Sequence, residues 1–466
     1  MKQQKLSLRN EERTMRVCGI IAEYNPFHSG HAYQIAEARA RSGCDYLIVV
    51  MSGDFVQRGA PALMDKYIRA RMALASGADL VLMLPVAAST ASAEGFARAG
   101  VSVLHTTGVV DTISFGCEDP AVCGEPYREL ARILSTESPE FQAALQRGLS
   151  SGLPYAQART AAIHSCTDGC DPGLLNNPNN LLAFEYMRAI AYTHSDLELC
   201  PIRRLGSYHG NDMAGGSSGS DDPADGLNGD VAVCPDDHDP GTAKQMRQFL
   251  SASACRRLLS GDPNAALHIL REQKQLPESS LDLLRQYHDT YAFLSEQDLS
   301  AQVHYALLAQ RDNGYSSYLD CGSDLSARIR KLLGAYEDFS GFCDLLKNKS
   351  LTRARIARAL THILLQLPAE SPAPLINADG YVPYLRVLGF RSSAAGLLHE
   401  IKQHAAAPLV TRPSQLRELS QAAADSGAMQ TAFAQDLFAA DVYRSALLHK
   451  CGCCYADDYR RRIEIL

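Results

Sequence analysis

The chain has 466 residues, 46% of them apolar and 21% charged, with a formal net charge of −7. That length predicts two or three domains and the composition is ordinary for a globular protein. No apolar run approaches the ~18–20 residues of a membrane helix, and the opening MKQQKLSLRNEERT lacks the apolar core of a secretory signal, so a cytoplasmic location is expected. The negative charge says little about a partner, because eight aspartates and no Lys or Arg fall between Asn211 and Pro240.

Residues 1–14 are expected to be a disordered extension, since Met15 opens a natural first strand, MRVCGIIAEYN. From Arg16 to Glu118 the runs RVCGIIAEY, CDYLIVVMSG, ADLVLMLPV and VVDTISFG are short and rich in β-branched residues, without a clean period of two. Such runs suit parallel strands buried on both faces. Helix-like segments lie between them at 31–42, at Asp65 to Ser76 with Asp65 as N-cap, and at about 92–105. This alternation predicts a doubly wound parallel α/β sheet. Ligands of such sheets bind beyond the carboxyl ends of the strands, so Glu23 to His31, Ser52 to Arg58, Pro85 to Glu94 and Gly116 to Glu118 are expected to converge on one crevice.

A catalytic domain over 15–260 would then carry an acidic, disordered insert at 211–243, with the Gly/Ser/Asp composition of a surface loop. A mainly helical region follows at 261–370, where Ile356, Leu360, Ile363 and Leu364 form an apolar stripe. The Pro-rich AESPAPLINADGYVP marks a boundary before a small C-terminal domain, 371–466. The fourteen cysteines are scattered, and Cys18, Cys44, Cys255 and Cys343 read as small hydrophobes. Neither Cys166/Cys170 nor Cys451, Cys453 and Cys454 has the paired spacing of a zinc site, so no metal site is expected.

In GIIAEYNPFHSGHAYQI, two imidazoles bracket a Ser-Gly at the junction of a strand, a turn and a helix. A helix N-terminus offers unpaired N–H groups and a positive dipole end, which favour phosphate. Gly30 admits close approach, and His28 and His31 can donate to phosphate oxygens. Nucleotidyl transfer asks for such donors aimed at charge growing on phosphorus. A four-residue HxGH also recurs by chance, and two structural histidines in a capped turn are the competing reading. FLSASACRRLL adds Ser251, Ser253 and Arg256, a Ser-x-Ser-x-x-Arg element at a helix start that can grip pyrophosphate; an ordinary Ser N-cap is its plainer reading.

Seven stretches in the same order, GIIAEYNPFHSGH, MSGDFVQRGAPALMDKYIRARMAL, ADLVLMLPV with ASAEGFARAGV, VVDTISFGCE, NNPNNLLAFEY, PIRRLGSYHG and LTRARIARALTHILL, resemble the bacterial tRNA(Met) cytidine acetate ligases, a family of HIGH-type nucleotidyltransferases. The resemblance implies a Rossmann-like (HUP) nucleotidyltransferase fold. It also implies activation of acetate by ATP, with Mg²⁺ accompanying the nucleotide, to acetyl-adenylate, and transfer of acetyl to N4 of the wobble cytidine of elongator tRNA(Met). Carried over by motif, Ile21, Ala22, Glu23, Tyr24, Asn25, Pro26, Phe27, His28, Ser29, Gly30, His31, Ala32, Tyr33 and Gln34 line the ATP site, with His28 and His31 catalytic. Gly116, Asn179 and Arg204 complete it. Asn177 and Asn180 compete with Asn179, and Arg203 with Arg204, which could instead form a surface ion pair.

Arg58 and Lys66 are further phosphate candidates, Lys66 and Arg69 being equally compatible with a solvated face. Family members often carry Asn at the position of Asp54, whose carboxylate would repel a triphosphate unless Arg58 or Mg²⁺ neutralised it. The acidic insert departs from the family's shorter connection. Between Ser326 and Gln366, eight basic residues outweigh three acidic ones; with the resemblance, Lys347, Lys349, Arg353, Arg355 and Arg358 read as tRNA contacts. Two rival functions are a small-molecule adenylyltransferase, usually shorter and without a basic helical region, and a tRNA-binding protein without catalysis, against which His28 and His31 stand.

Overall fold

The computed structural model describes residues 15–136, 139–153, 170–204, 247–348, 351–371, 375–422 and 427–466, with the isolated positions 158, 161–162, 165 and 232–234. Residues 1–14 and, apart from 232–234, the acidic stretch 211–243 lie outside them.

The first strand, β1 (Val17–Ala22), leads into helix α1 (Ser29–Ser42), which ends at Gly43 in the left-handed conformation. Then come β2 (Tyr46–Ser52), α2 (Lys66–Ala75), β3 (Leu80–Leu84), α3 (Ala93–Thr106) and β4 (Thr112–Cys117). Asp65 caps α2 as expected, accepting from the N–H groups of Tyr67 and Ile68. Helices α4 (Glu125–Thr136) and α5 (Pro178–Thr193) precede β5 (Glu198–Arg203). The helical region includes α6 (Ala252–Leu259), α7 (Ser300–Gln310) and α8 (Arg353–Leu364). The C-terminal part supplies β6 (Leu385–Phe390), β7 (Leu409–Val410), the long helix α9 (Gly427–Cys451) and β8 (Glu464–Ile465).

Among the described residues, eight strands form the main sheet in the order β7-β6-β3-β2-β1-β4-β5, with β8 also on β6. β1 to β5 are mutually parallel, and only β6 against β3 runs antiparallel. The order reverses between β1 and β4, which puts the ligand crevice of a doubly wound sheet beyond those two strand ends.

Alternate side chains of β1, β2 and β3 enter two cores. Val17, Ile21, Ile48, Val50, Leu80 and Leu82 pack on α3, α4 and α5. Cys18, Ile20, Leu47, Val49, Val81 and Met83 pack on α1, α2 and helices from 252 to 288. The predicted stripe Ile356, Leu360, Ile363 and Leu364 is buried in a third core with α7 and α9.

One expectation is corrected here. The segment 371–466 is not a separate small domain: β6, β7 and β8 extend the main sheet, and Tyr443 and Leu447 of α9 enter the helical core. Proline and glycine between 369 and 383 read as a boundary, but pairing of β6 with β3 is non-local and leaves no local signal.

Candidate active site

The turn after β1 is built from backbone geometry and aromatic packing. Tyr24 takes a positive φ of 49° and the Asn25–Pro26 peptide is cis. Asn25 Oδ1 accepts from the Leu63 N–H at 2.7 Å, and the buried rings of Tyr24 and Phe27 lie 4.8 and 5.5 Å from His31. The peptide of Ser29 donates to the Gln275 carbonyl at 2.9 Å, and its hydroxyl donates to Lys274 O at 3.0 Å. The mouth of α1 is therefore seated on a segment some 245 residues later in the chain.

His28 is the N-cap of α1. Its Nδ1 accepts from the Gly30 N–H at 3.1 Å, while His31 Nδ1 accepts from the His28 N–H at 3.2 Å. The rings stack with centroids 3.7 Å apart. The capped-turn reading and the ligand reading are thus one arrangement: a reciprocal capping box made of two histidines. Burial, then Arg204 and Arg256, push His28 down to about 3, and burial, then His28 and Arg204, hold His31 well below its usual value. Both rings are neutral at pH 7. A neutral imidazole whose Nδ1 accepts carries its proton on Nε2, so each histidine offers one Nε2–H donor.

Three arginines accompany them. Arg256, in the first turns of α6, donates from Nη1 to Asn25 O at 2.5 Å and from Nη2 to Ser253 Oγ at 2.9 Å. Burial and then Arg58 hold its pKa down to about 10, with Glu23 pulling the other way. Arg204 lies over Gly116: a Cβ on that glycine would meet Arg204 Cγ at 3.3 Å. Glu23 Oε1 accepts from the Gln57 N–H at 2.9 Å, tying the loop of Arg58 to the end of β1. His28, His31, Gly116, Arg204, Arg256, Arg58 and Glu23 therefore come together at the switch point, an electropositive crevice of neutral donors and fixed cations.

Other candidates are differently employed. Lys66, expected near phosphate, is 2% exposed and lies 2.5 Å from Asp54 and 2.9 Å from Asp458. Burial alone would lower its pKa, but Asp458 and Asp54 outweigh it and hold the ammonium charged. Asp54 is thus paired with Lys66. Arg69 is fully buried and donates to the carbonyls of Met64, Glu23 and Gly53, latching the ends of β1 and β2 together.

Ser251 is the N-cap of α6, accepting from Ala254 N at 3.1 Å, and Ser253 accepts from Arg256, so the plainer reading of both hydroxyls stands beside the grip. Asn179 donates to Glu118 Oε1 at 2.6 Å. Asn180 accepts from the N–H groups of Glu118 and Asp119 and is wholly buried, which settles Asn180 as structural. Ile21 faces the sheet core.

Of the expected tRNA contacts, Arg353 is committed to Glu296 and Asp344 at 2.5 and 3.3 Å and Arg358 to Asp320 at 2.7 Å. Both are therefore ion-paired within the fold. Arg355 is exposed, Lys347 is half-buried, and Lys349 lies outside the described residues. The sequence reading placed Glu118 at the crevice only as the end of the Gly116 to Glu118 stretch, and it missed Asp458, for which no local signal exists. Among the described residues no group of three or more His, Cys, Asp or Glu is placed to hold a metal, and no helix is long and apolar enough to cross a membrane.

The family model for HIGH nucleotidyl transferases matches residues 15–221 and 236–454. Among curated relatives, the tRNA(Met) cytidine acetate ligase of Caldanaerobacter subterraneus subsp. tengcongensis is 31% identical over 93% of this chain and 96% of its own. The ligase of the same name from Clostridium kluyveri is 32% identical over 85% and 90%. Among solved structures, Thermotoga maritima TmcAL bound with alpha-thio ATP is 26% identical with a TM-score of 0.79, over 97% of this chain and 100% of that one, and its apo form superposes with a TM-score of 0.80. A strand-end crevice of two Nε2 donors and three arginines, in a chain matched nearly end to end, has one reading: the chain belongs to the HIGH nucleotidyl transferase family, in the group of the tRNA(Met) cytidine acetate ligases.

Proposed function

We propose that this chain activates acetate with ATP as acetyl-adenylate and passes the acetyl group to N4 of the wobble cytidine of elongator tRNA(Met), in the cytoplasm. The observation that carries the reading is the pair of neutral, Nδ1-capped histidines aimed with Arg204 and Arg256 beyond β1 and β4. An acetate oxygen attacks the α-phosphorus, an O–P bond forms, and the bond to pyrophosphate breaks. His28 and His31 donate to the oxygens on which charge grows, the role that preorganised donors fill at low cost in reorganisation. Arg58 and Arg256 suit the departing pyrophosphate, and Mg²⁺ enters with the nucleotide. The Ile21–Gln34 segment lines the site, Arg204 flanks the nucleotide against Gly116, and Asn179 acts through Glu118.

In the second step the cytidine N4 attacks the acyl carbon. The N–C bond forms, the acyl–O bond breaks, AMP leaves, and its phosphate can take the N4 proton. Exposed Arg330, Lys331 and Arg355, with half-buried Lys347, form the surface on which the tRNA backbone docks. The test is mass spectrometry of tRNA nucleosides after incubation with labelled acetate and ATP, without acetyl-CoA. Labelled N4-acetylcytidine at the wobble position is expected; its absence with protein that binds ATP would refute the activity.

A further inference from the structure

The groove between α7, the end of α8 and α9 lies outside the crevice and the sheet core. It encloses a cavity of about 550 Å³, within the range of small-ligand sites. Tyr305 and Phe438 on its wall are 75% and 40% exposed, and Tyr318 forms another part of the lining. Among the described residues no Lys or Arg lines it, and its carboxylate, Asp441, pairs with Arg444 at 3.2 Å. Phosphate is therefore a poor occupant.

The exposed rings of Tyr305 and Phe438 report what is a better one. An open aromatic face is the chemistry on which a splayed nucleobase stacks.

The groove also borders the basic surface. Tyr318 lies two residues before Asp320, whose carbonyl accepts from Arg355 and whose carboxylate accepts from Arg358. Ile363 in the groove lies eight residues beyond Arg355 on α8, about 12 Å along the axis.

We infer that this groove receives one unstacked nucleobase of the tRNA substrate, its face on Tyr305, while Arg355 meets the adjoining backbone. The inference rests on the tRNA-modifying function proposed above. Its test is the binding of an elongator methionine tRNA transcript to wild type, Tyr305→Ala and Tyr305→Phe at several salt concentrations. Tyr305→Ala is expected to raise Kd about tenfold with an unchanged salt slope, because no phosphate contact is lost. Tyr305→Phe should stay near wild type, and acetate-dependent ATP–pyrophosphate exchange should be normal in both. Equal tRNA affinity in Tyr305→Ala overturns the inference alone. So does loss of a concentration-dependent dimer without change in tRNA affinity, which would make the groove an interface between copies. A wild-type protein with no affinity for this tRNA overturns the inference together with the function it rests on.

Discussion

Two clusters of charge in the fold are built in opposite ways. Behind β2, Lys66 and Arg386 face Asp54 and Asp458 at 2.5 to 2.9 Å, with Lys66 raised and Asp458 lowered by each other once burial is overcome. That cluster neutralises itself. Beyond β1 and β4, Arg58 depresses Arg256, and Arg204 and Arg256 depress His28, so positive charge is gathered against its own repulsion with Glu23 as partial counterweight. Charge balanced within the fold does structural work; charge left in excess in a crevice marks where an anion belongs.

The sharpest way to break this contrast is to exchange the clusters' expected phenotypes. Lys66→Ala leaves Asp54 and Asp458 facing one another in a buried site, and loss of one partner of a buried pair costs about 3–5 kcal/mol. A large fall in chemical-denaturation midpoint is expected. Arg58→Ala should leave that midpoint nearly unchanged and slow acetate-dependent pyrophosphate exchange. A stable Lys66→Ala with impaired exchange would reverse the assignment.

A smaller effect comes from pH. His28 stays neutral in the fold down to about 3, against an ordinary value of 6.5. Below 6.5 the unfolded chain binds a proton that the native imidazole refuses, so stability rises with pH in this window and is lost as pH falls. Between pH 7.5 and 5.5 the loss attributable to His28 is on the order of 1 kcal/mol. It should shrink in His28→Asn, where Asn keeps a capping oxygen; an unchanged pH slope in that variant would contradict the neutral-imidazole assignment.

The smallest effect belongs to the surface. Arg355→Glu should weaken tRNA binding and lower the salt slope by roughly one unit, with pyrophosphate exchange intact. Arg353→Glu, by contrast, places a carboxylate against Glu296 and Asp344 and should register first as lost stability. Equal tRNA phenotypes with unaltered stability in both would mean that the ion pairs of Arg353 open in the complex.

The parallel sheet, its strand ends and the His28–His31 junction were legible because they are local: apolar runs, a cap residue, a glycine at a strand end. The partners of Lys66, Arg353 and Arg358 were not. A basic residue looks the same in sequence whether it meets solvent, a phosphate or a carboxylate from a distant segment, and Asp458 reaches Lys66 from nearly four hundred residues away. β6 was missed for the same reason: its antiparallel place beside β3 depends on chain return, not on the residues around it. Asn180 could be told from Asn179 only once both hydrogen bonds to the 118–119 backbone were visible.

The most direct measurement is acetate-dependent ATP–pyrophosphate exchange in His28→Asn, with thermal stability followed in parallel. Asn preserves a cap on α1 and removes the Nε2–H donor, so stability near wild type with exchange reduced about 10²–10³-fold is expected. Wild-type exchange in this variant would contradict the claim that the capping histidine also holds the reacting phosphate.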